Sequence, residues 1–298
     1  MIATIVIALA SSVAYGFGDF YGGVSSARLR VAPTTLVGYG MAMVTGAVAL
    51  LFAGGHWSPG AVLWGGLAGL AALAGALSFY AAMVAGPISL ATPVVGTVES
   101  AVPVIVAVVI GQRMSGLTWL AIVLAVAGGA LVSLRFGAGE RTNLRAGLFA
   151  VAGGVMFGCS ILALNRAPHD AGLIPAVFEG AVGFVVMAVL LSAARLFAPL
   201  GRGLRFFDAG ADASVLVARR GLSLVLPALV SGVLLGIGNT LLVVALRGGE
   251  LAVVTVLTDL YPVTTVLLAW LIARERLSPV QLLGVALAVG ASALFAVA

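Results

Sequence analysis

The chain has 298 residues, of which 62% are hydrophobic and 8% charged, with a mean hydropathy of +1.23. A soluble domain is about 45–50% apolar and about 25% charged, so 15 basic and 10 acidic side chains cannot cover a globule of this size, and a soluble enzyme is excluded. The net charge is +5, but every basic residue is an arginine scattered between apolar runs, which makes no basic patch and excludes a nucleic-acid partner.

A transmembrane helix takes about 20 apolar residues, and the breaks between apolar runs predict ten of them. The first, near 2–22, is read as a retained helix: Ser12-Val13-Ala14 loosely resembles a cleavage site, but no charged side chain precedes Asp19. Asp19 lies near its end, with Arg28 and Arg30 beyond, and a cap or rim ion pair is as good a reading there as a functional role. A helix near 33–53 ends at His56-Trp57, an interfacial pair. One near 61–84 carries Trp64, Phe79 and Tyr80, and one near 88–110 carries Glu99 between Pro93 and Pro103. Helices near 116–134 and 145–165 follow, then a polar break at His169-Asp170.

The helix near 173–197 carries Glu179. The connection at about 198–221 holds Arg202, Arg205, Arg219 and Arg220 with Asp208 and Asp212, and reads as a solvated linker, the alternative being an anionic-lipid or partner site. A helix near 222–246 carries Asn239, and Arg247-Gly248-Gly249-Glu250 reads as a turn with a local ion pair. The helix near 250–272 carries Asp259 and Tyr261, with Pro262 beside them, and the last lies near 279–297. These runs are continuously apolar rather than alternating, which excludes a transmembrane β-barrel. Cys159 is a lone cysteine, so no internal disulfide or cysteine-based metal cluster exists, and no cofactor motif is present.

Arginines mark the inner face of most membrane proteins. Twelve follow odd-numbered predicted helices and three, Arg113, Arg166 and Arg247, follow even-numbered ones. That bias puts the odd connections in the cytoplasm and both termini outside.

The chain also repeats. Gly86 to Thr92 aligns with Gly249 to Thr255 at a shift of 163 residues, and the same shift lays Gln112-Arg113-Met114-Ser115 on Glu275-Arg276-Leu277-Ser278. Earlier, a shift of 142 pairs Pro33 with Pro175 and Gly16 with Gly158. The expected organisation is therefore all-α, with two five-helix halves, 1–136 and 144–298. An odd number of helices per half makes the halves inverted repeats, an architecture with two near-equivalent conformations and a site at the midplane.

The second half, with Gly249-Glu250-Leu251-Ala252, Tyr261-Pro262-Val263, Arg274-Glu275-Arg276-Leu277-Ser278 and Gln281-Leu282-Leu283-Gly284, resembles the EamA domains of the drug/metabolite transporter superfamily. In the first half Gln112-Arg113 replaces the Glu-Arg pair. The resemblance implies a ten-helix secondary transporter, often an exporter of amino acids or other small metabolites. It also implies cytoplasmic termini, opposite to the arginine bias.

A charge at the bilayer centre costs about 2.5–3.5 kcal/mol on the most lenient scale, so carboxyls within helices face a cavity or a partner. Glu99 and Asp259 form the leading pair, on symmetry-related proline-bearing helices, followed by Glu179 and Asp19. Asn239, Tyr80 and Tyr261 are expected to complete a substrate or proton site, with Tyr15, Phe17, Tyr39, Trp64 and Phe79 as further candidates. The bland alternative for each acid is a protonated carboxyl bonded to a neighbouring helix, and for each aromatic, packing or an interfacial anchor. The functional expectation is a multi-pass inner-membrane transporter, monomer or homodimer, in contact with the lipid bilayer and moving a small-molecule substrate, with proton coupling as an option the acids allow. A multidrug exporter of the same fold and an intramembrane lipid-modifying enzyme are the rival classes.

Overall fold

Apolar side chains cannot satisfy backbone amides, so a segment lying in hydrocarbon closes its N–H and C=O groups within itself as a helix. The computed structural model describes residues 2–86, 88–111, 115–133, 144–208, 222–272 and 278–295, and every regular element among them is helical. The helices are α1 (Ile2–Leu29), α2 (Val31–Ala53), α3 (Pro59–Ala85), α4 (Ile88–Val109), α5 (Gly116–Ser133) and α6 (Leu144–Arg166), then, after a 3₁₀ turn at His169–Ala171, α7 (Ile174–Leu196), α8 (Ala198–Phe207), α9 (Leu222–Gly248), α10 (Leu251–Thr258), α11 (Tyr261–Leu271) and α12 (Pro279–Phe295). Six of these, α1, α2, α3, α6, α7 and Leu224–Gly248 of α9, are long and apolar enough to cross a membrane. Shorter apolar stretches lie at Val94–Val109, Gly116–Gly128 and Leu251–Thr265. Residues Arg113, Arg135, Arg141, Arg219, Arg220 and Arg274, Asp212, and the Gln112-Arg113 and Glu275-Arg276 motifs lie outside the described residues.

Small residues set the packing. The pairs Gly65/Gly69, Gly154/Gly158 and Gly232/Gly236 each carry one helix against the backbone of another. A Cβ would stand 2.6 Å from the Pro175 carbonyl oxygen at Gly65, 2.6 Å from that of Val95 at Gly154 and 2.6 Å from that of Gly38 at Gly232. Thus α3 lies on α7, α6 on α4 and α9 on α2. Serines and threonines sew α1 to α9: the hydroxyls of Ser11 and Thr4 donate to the carbonyls of Gly238 (2.7 Å) and Gly248 (3.0 Å), and Ser231 donates to that of Gly18 (2.7 Å). At the rim, α12 packs against α5, which packs against α4.

Three local expectations change. First, α1 runs on to Leu29, well past the expected end near 22, because Gly22, Gly23, Ser25 and Ser26 are buried against neighbours and packing overrides their weak helix preference. Asp19 is therefore a mid-helix residue rather than one near an interface.

Second, the 198–221 connection begins with an amphipathic helix, α8, rather than a plain linker. Phe206 and Phe207 pack on Phe149, and the Arg145 guanidinium lies 4.2 Å from the Phe206 ring centre and donates to the Phe206 carbonyl. Asp208 accepts the Val31 N–H at 2.9 Å, which ties the end of α8 to the start of α2. Burial pushes the Asp208 carboxyl up from its ordinary range, partly offset by that N–H and by Arg30.

Third, the expected helix near 250–272 is broken at Asp259-Leu260. Pro262 has no N–H for the Thr258 carbonyl, and its ring crowds that same group. The cationic end of Arg247 donates to the Ala167 carbonyl at 2.8 Å, fastening the end of α9 to the α6–α7 connection.

Candidate functional site

Eight helices, α1, α2, α3, α4, α6, α7, α9 and α11, enclose a cavity of about 110 Å³, several times the roughly 10–15 Å³ that holds one water. Three carboxyls line it: Asp19 from α1, Glu99 from α4 and Glu179 from α7. Their surroundings differ.

Glu179 is held on both oxygens. Ser160 Oγ of α6 donates to Oε1 at 2.9 Å, and Asn239 Nδ2 of α9 donates to Oε2 at 2.7 Å. Asn239 in turn accepts from the Tyr15 hydroxyl of α1 on its Oδ1 at 3.3 Å. The polar chain Ser160–Glu179–Asn239–Tyr15 thus links four helices, with the Asn239 amide partnered on both its nitrogen and its oxygen. The Tyr15 ring meets the Tyr261 ring edge to face, with centroids 6.4 Å apart. Tyr261 sits at the first position of α11 and donates its hydroxyl to Glu99 Oε2 at 3.2 Å.

Asp19 is only 7% exposed, lines the cavity, and receives no hydrogen bond or ion pair from any described residue. Among the described residues no arginine or histidine lines the cavity, and the chain has no lysine. No group of three His, Cys, Asp or Glu side chains among the described residues is placed to hold a metal ion.

Six of the seven leading candidates therefore come together: Asp19, Tyr80, Glu99, Glu179, Asn239 and Tyr261. Asp259 does not line the cavity. It follows the last residue of α10, where its Oδ2 accepts from Ser100 Oγ of α4 at 2.7 Å and its Oδ1 is buried with no hydrogen-bond partner. Glu99 and Asp259, the leading pair of candidates, thus take different partners, Tyr261 and Ser100, and only Glu99 lines the cavity. Of the further aromatic candidates, Tyr15, Tyr39 and Phe79 line the cavity, Phe17 is partly exposed on the outside and Trp64 is not part of the lining. Sequence reasoning missed Ser160, Thr35 and Phe157. Ser160 had a signal, a hydroxyl two residues beyond Gly158 within an apolar helix.

Residues 144–297 match the model of the EamA-like transporter family. No curated protein matches the chain. A protein of known crystal structure is similar at a TM-score of 0.70 and 18% identity, covering 99% of this chain and 96% of that one, a likeness that speaks for the fold alone. The family match spans more than half of the chain and agrees with its apolar helices. The chain is a multi-pass membrane protein and belongs to the EamA-like transporter family of the drug/metabolite transporter superfamily.

Proposed function

We propose that this protein is a secondary transporter that carries a small metabolite across the inner membrane by alternating access between two inverted five-helix repeats. The observation that carries the reading is the cavity itself, a polar chain enclosed at the contact of helices from both halves of the sequence. In this reading the spans are α1 to α5 in the first repeat, 1–136, and α6, α7, α9, α10–α11 and α12 in the second, 144–298.

The helix pairings support the repeat, because they come in twos. α1 lies on α9 as α6 lies on α3; α2 lies on α9 as α7 lies on α3; α4 lies on α6 as α10 and α11 lie on α1. Individual residues follow the same exchange. Gly16 approaches the Tyr261 carbonyl, and Gly158, 142 residues later, approaches that of Glu99. Gly75 receives the Phe157 ring, and Gly238, 163 residues later, receives the Tyr15 ring. Two halves packed alike from opposite sides offer two near-equivalent arrangements around one site. The carboxyls supply groups on which protons exchange, and export is the direction this reading takes. The aromatic lining favours one rival, a multidrug exporter of the same fold.

The test is flux in proteoliposomes. Purified protein is expected to move one class from a panel of amino acids, amines, nucleosides and sugars above the background of empty vesicles. Flux should respond to an imposed pH gradient and lose that response in Glu99→Gln. Gradient-independent flux that is normal in Glu99→Gln would sink the coupling, and absence of flux for every class would sink transport.

A further inference from the structure

The cavity presents three carboxyls and, among the described residues, no cationic side chain. Glu179 and Glu99 already receive hydrogen bonds from Ser160, Asn239 and Tyr261. Asp19 does not: more than nine-tenths buried and turned to the same space, it receives nothing from any described residue. A buried carboxyl with no donor is costly, and such groups persist where a ligand completes them. The lining around it is aromatic, with Tyr15, Tyr39, Tyr80, Tyr261, Phe79 and Phe157. Ring faces attract ammonium groups electrostatically and accept apolar carbon as well.

From this we propose that the cavity binds an organic cation, a small amine whose ammonium pairs with Asp19 and whose apolar body rests on the tyrosine and phenylalanine rings. The inference rests on the transport reading only in taking this cavity as the pathway. It is narrower than an amino acid: the carboxylate of a zwitterion would find no cationic side chain among the described lining residues. A primary ammonium also brings three donors, one for Asp19 and others for the tyrosine hydroxyls or for Glu99.

Three probes with one ring and different charge test it on the full chain in detergent: phenethylamine, phenylalanine and 3-phenylpropanoate, followed by calorimetric titration and thermal shift. Phenethylamine is expected to bind at least about tenfold more tightly than phenylalanine, with 3-phenylpropanoate weakest. Asp19→Asn should weaken phenethylamine by about tenfold to a hundredfold without lowering the melting temperature, and Asp19→Glu should retain most of the binding. Equal or tighter binding of phenylalanine or 3-phenylpropanoate overturns the inference, as does unchanged binding in a folded Asp19→Asn. The probe series uses the natural chain, so the result stands even where a variant fails to fold. Flux separates the two readings. Phenethylamine that binds Asp19-dependently but does not cross leaves the cation site standing and removes transport, whereas phenylalanine that crosses while phenethylamine does not bind removes the cation site and leaves transport.

Discussion

Two proline-bearing apolar segments meet beside the cavity and fold differently. α4 runs unbroken from Ile88 to Val109 with Pro93 and Pro103 inside it, whereas α10 stops at Thr258 and α11 restarts at Tyr261, just before Pro262. Each proline removes one donor: Pro103 leaves the Glu99 carbonyl without its N–H, and Pro262 leaves that of Thr258. In α4 the Glu99 carbonyl lies against Gly158 of α6, where a Cβ would stand 2.9 Å from its oxygen, and in α11 the Tyr261 carbonyl lies against Gly16 of α1 at 2.8 Å. Facing the break, α4 offers Gly96, where a Cβ would stand 2.9 Å from Pro262 Cγ and 3.2 Å from the Asp259 carbonyl oxygen. The unbroken helix thus carries the glycine that makes room for the broken one. Proline makes a break available without forcing one.

The comparison can be attacked from both sides, beginning with the largest effect. Gly96→Val should force α4 off the break. Overpacking of this kind costs about 1–3 kcal/mol, so a lowered melting temperature and loss of flux are expected; a variant with wild-type melting would show that the glycine is not what admits the break. Pro262→Ala returns the missing N–H and removes a penalty of about 3 kcal/mol against a continuous helix. α10 and α11 should then join and carry Tyr261 away from Glu99, so flux should fall about tenfold or more while the melting temperature holds or rises. Tyr261→Phe removes only the hydroxyl on Glu99, a loss of about 0.5–1.5 kcal/mol, read as a modest drop in melting temperature with the fold intact. Pro103→Ala should do least to flux. α4 is already continuous, so flux is unchanged, and any gain in stability is bounded by the same figure of about 3 kcal/mol. Impaired flux there would mean that α4 depends on its proline as α11 does.

Much of the site was legible because charge is scarce. Acids in apolar runs are conspicuous, and Asp19, Glu99 and Glu179 do reach one cavity. Their ranking was not legible. Asp19 looked peripheral because the first helix was expected to end near 22 with Arg28 and Arg30 beyond, yet α1 runs on to Leu29 and closes on the Tyr80 hydroxyl at Gly22. Asp259 looked central because it shares a segment with Pro262, yet the break leaves it on Ser100, outside the lining. In the same way Phe206 and Phe207 gave α8 an apolar face that an arginine-rich composition concealed.

The sequence by itself determined the environment and the helical class of the structure. With so few polar groups the chain has hydrocarbon as its solvent, and hydrocarbon allows such segments only helices. Only the tertiary structure decided which of the cavity's acids receive donors and that Asp19 receives none from the described residues. Hydrogen bonds between α6, α7, α9 and α1 join residues up to 224 positions apart in sequence, and no local pattern encodes which side chain a distant helix will bring.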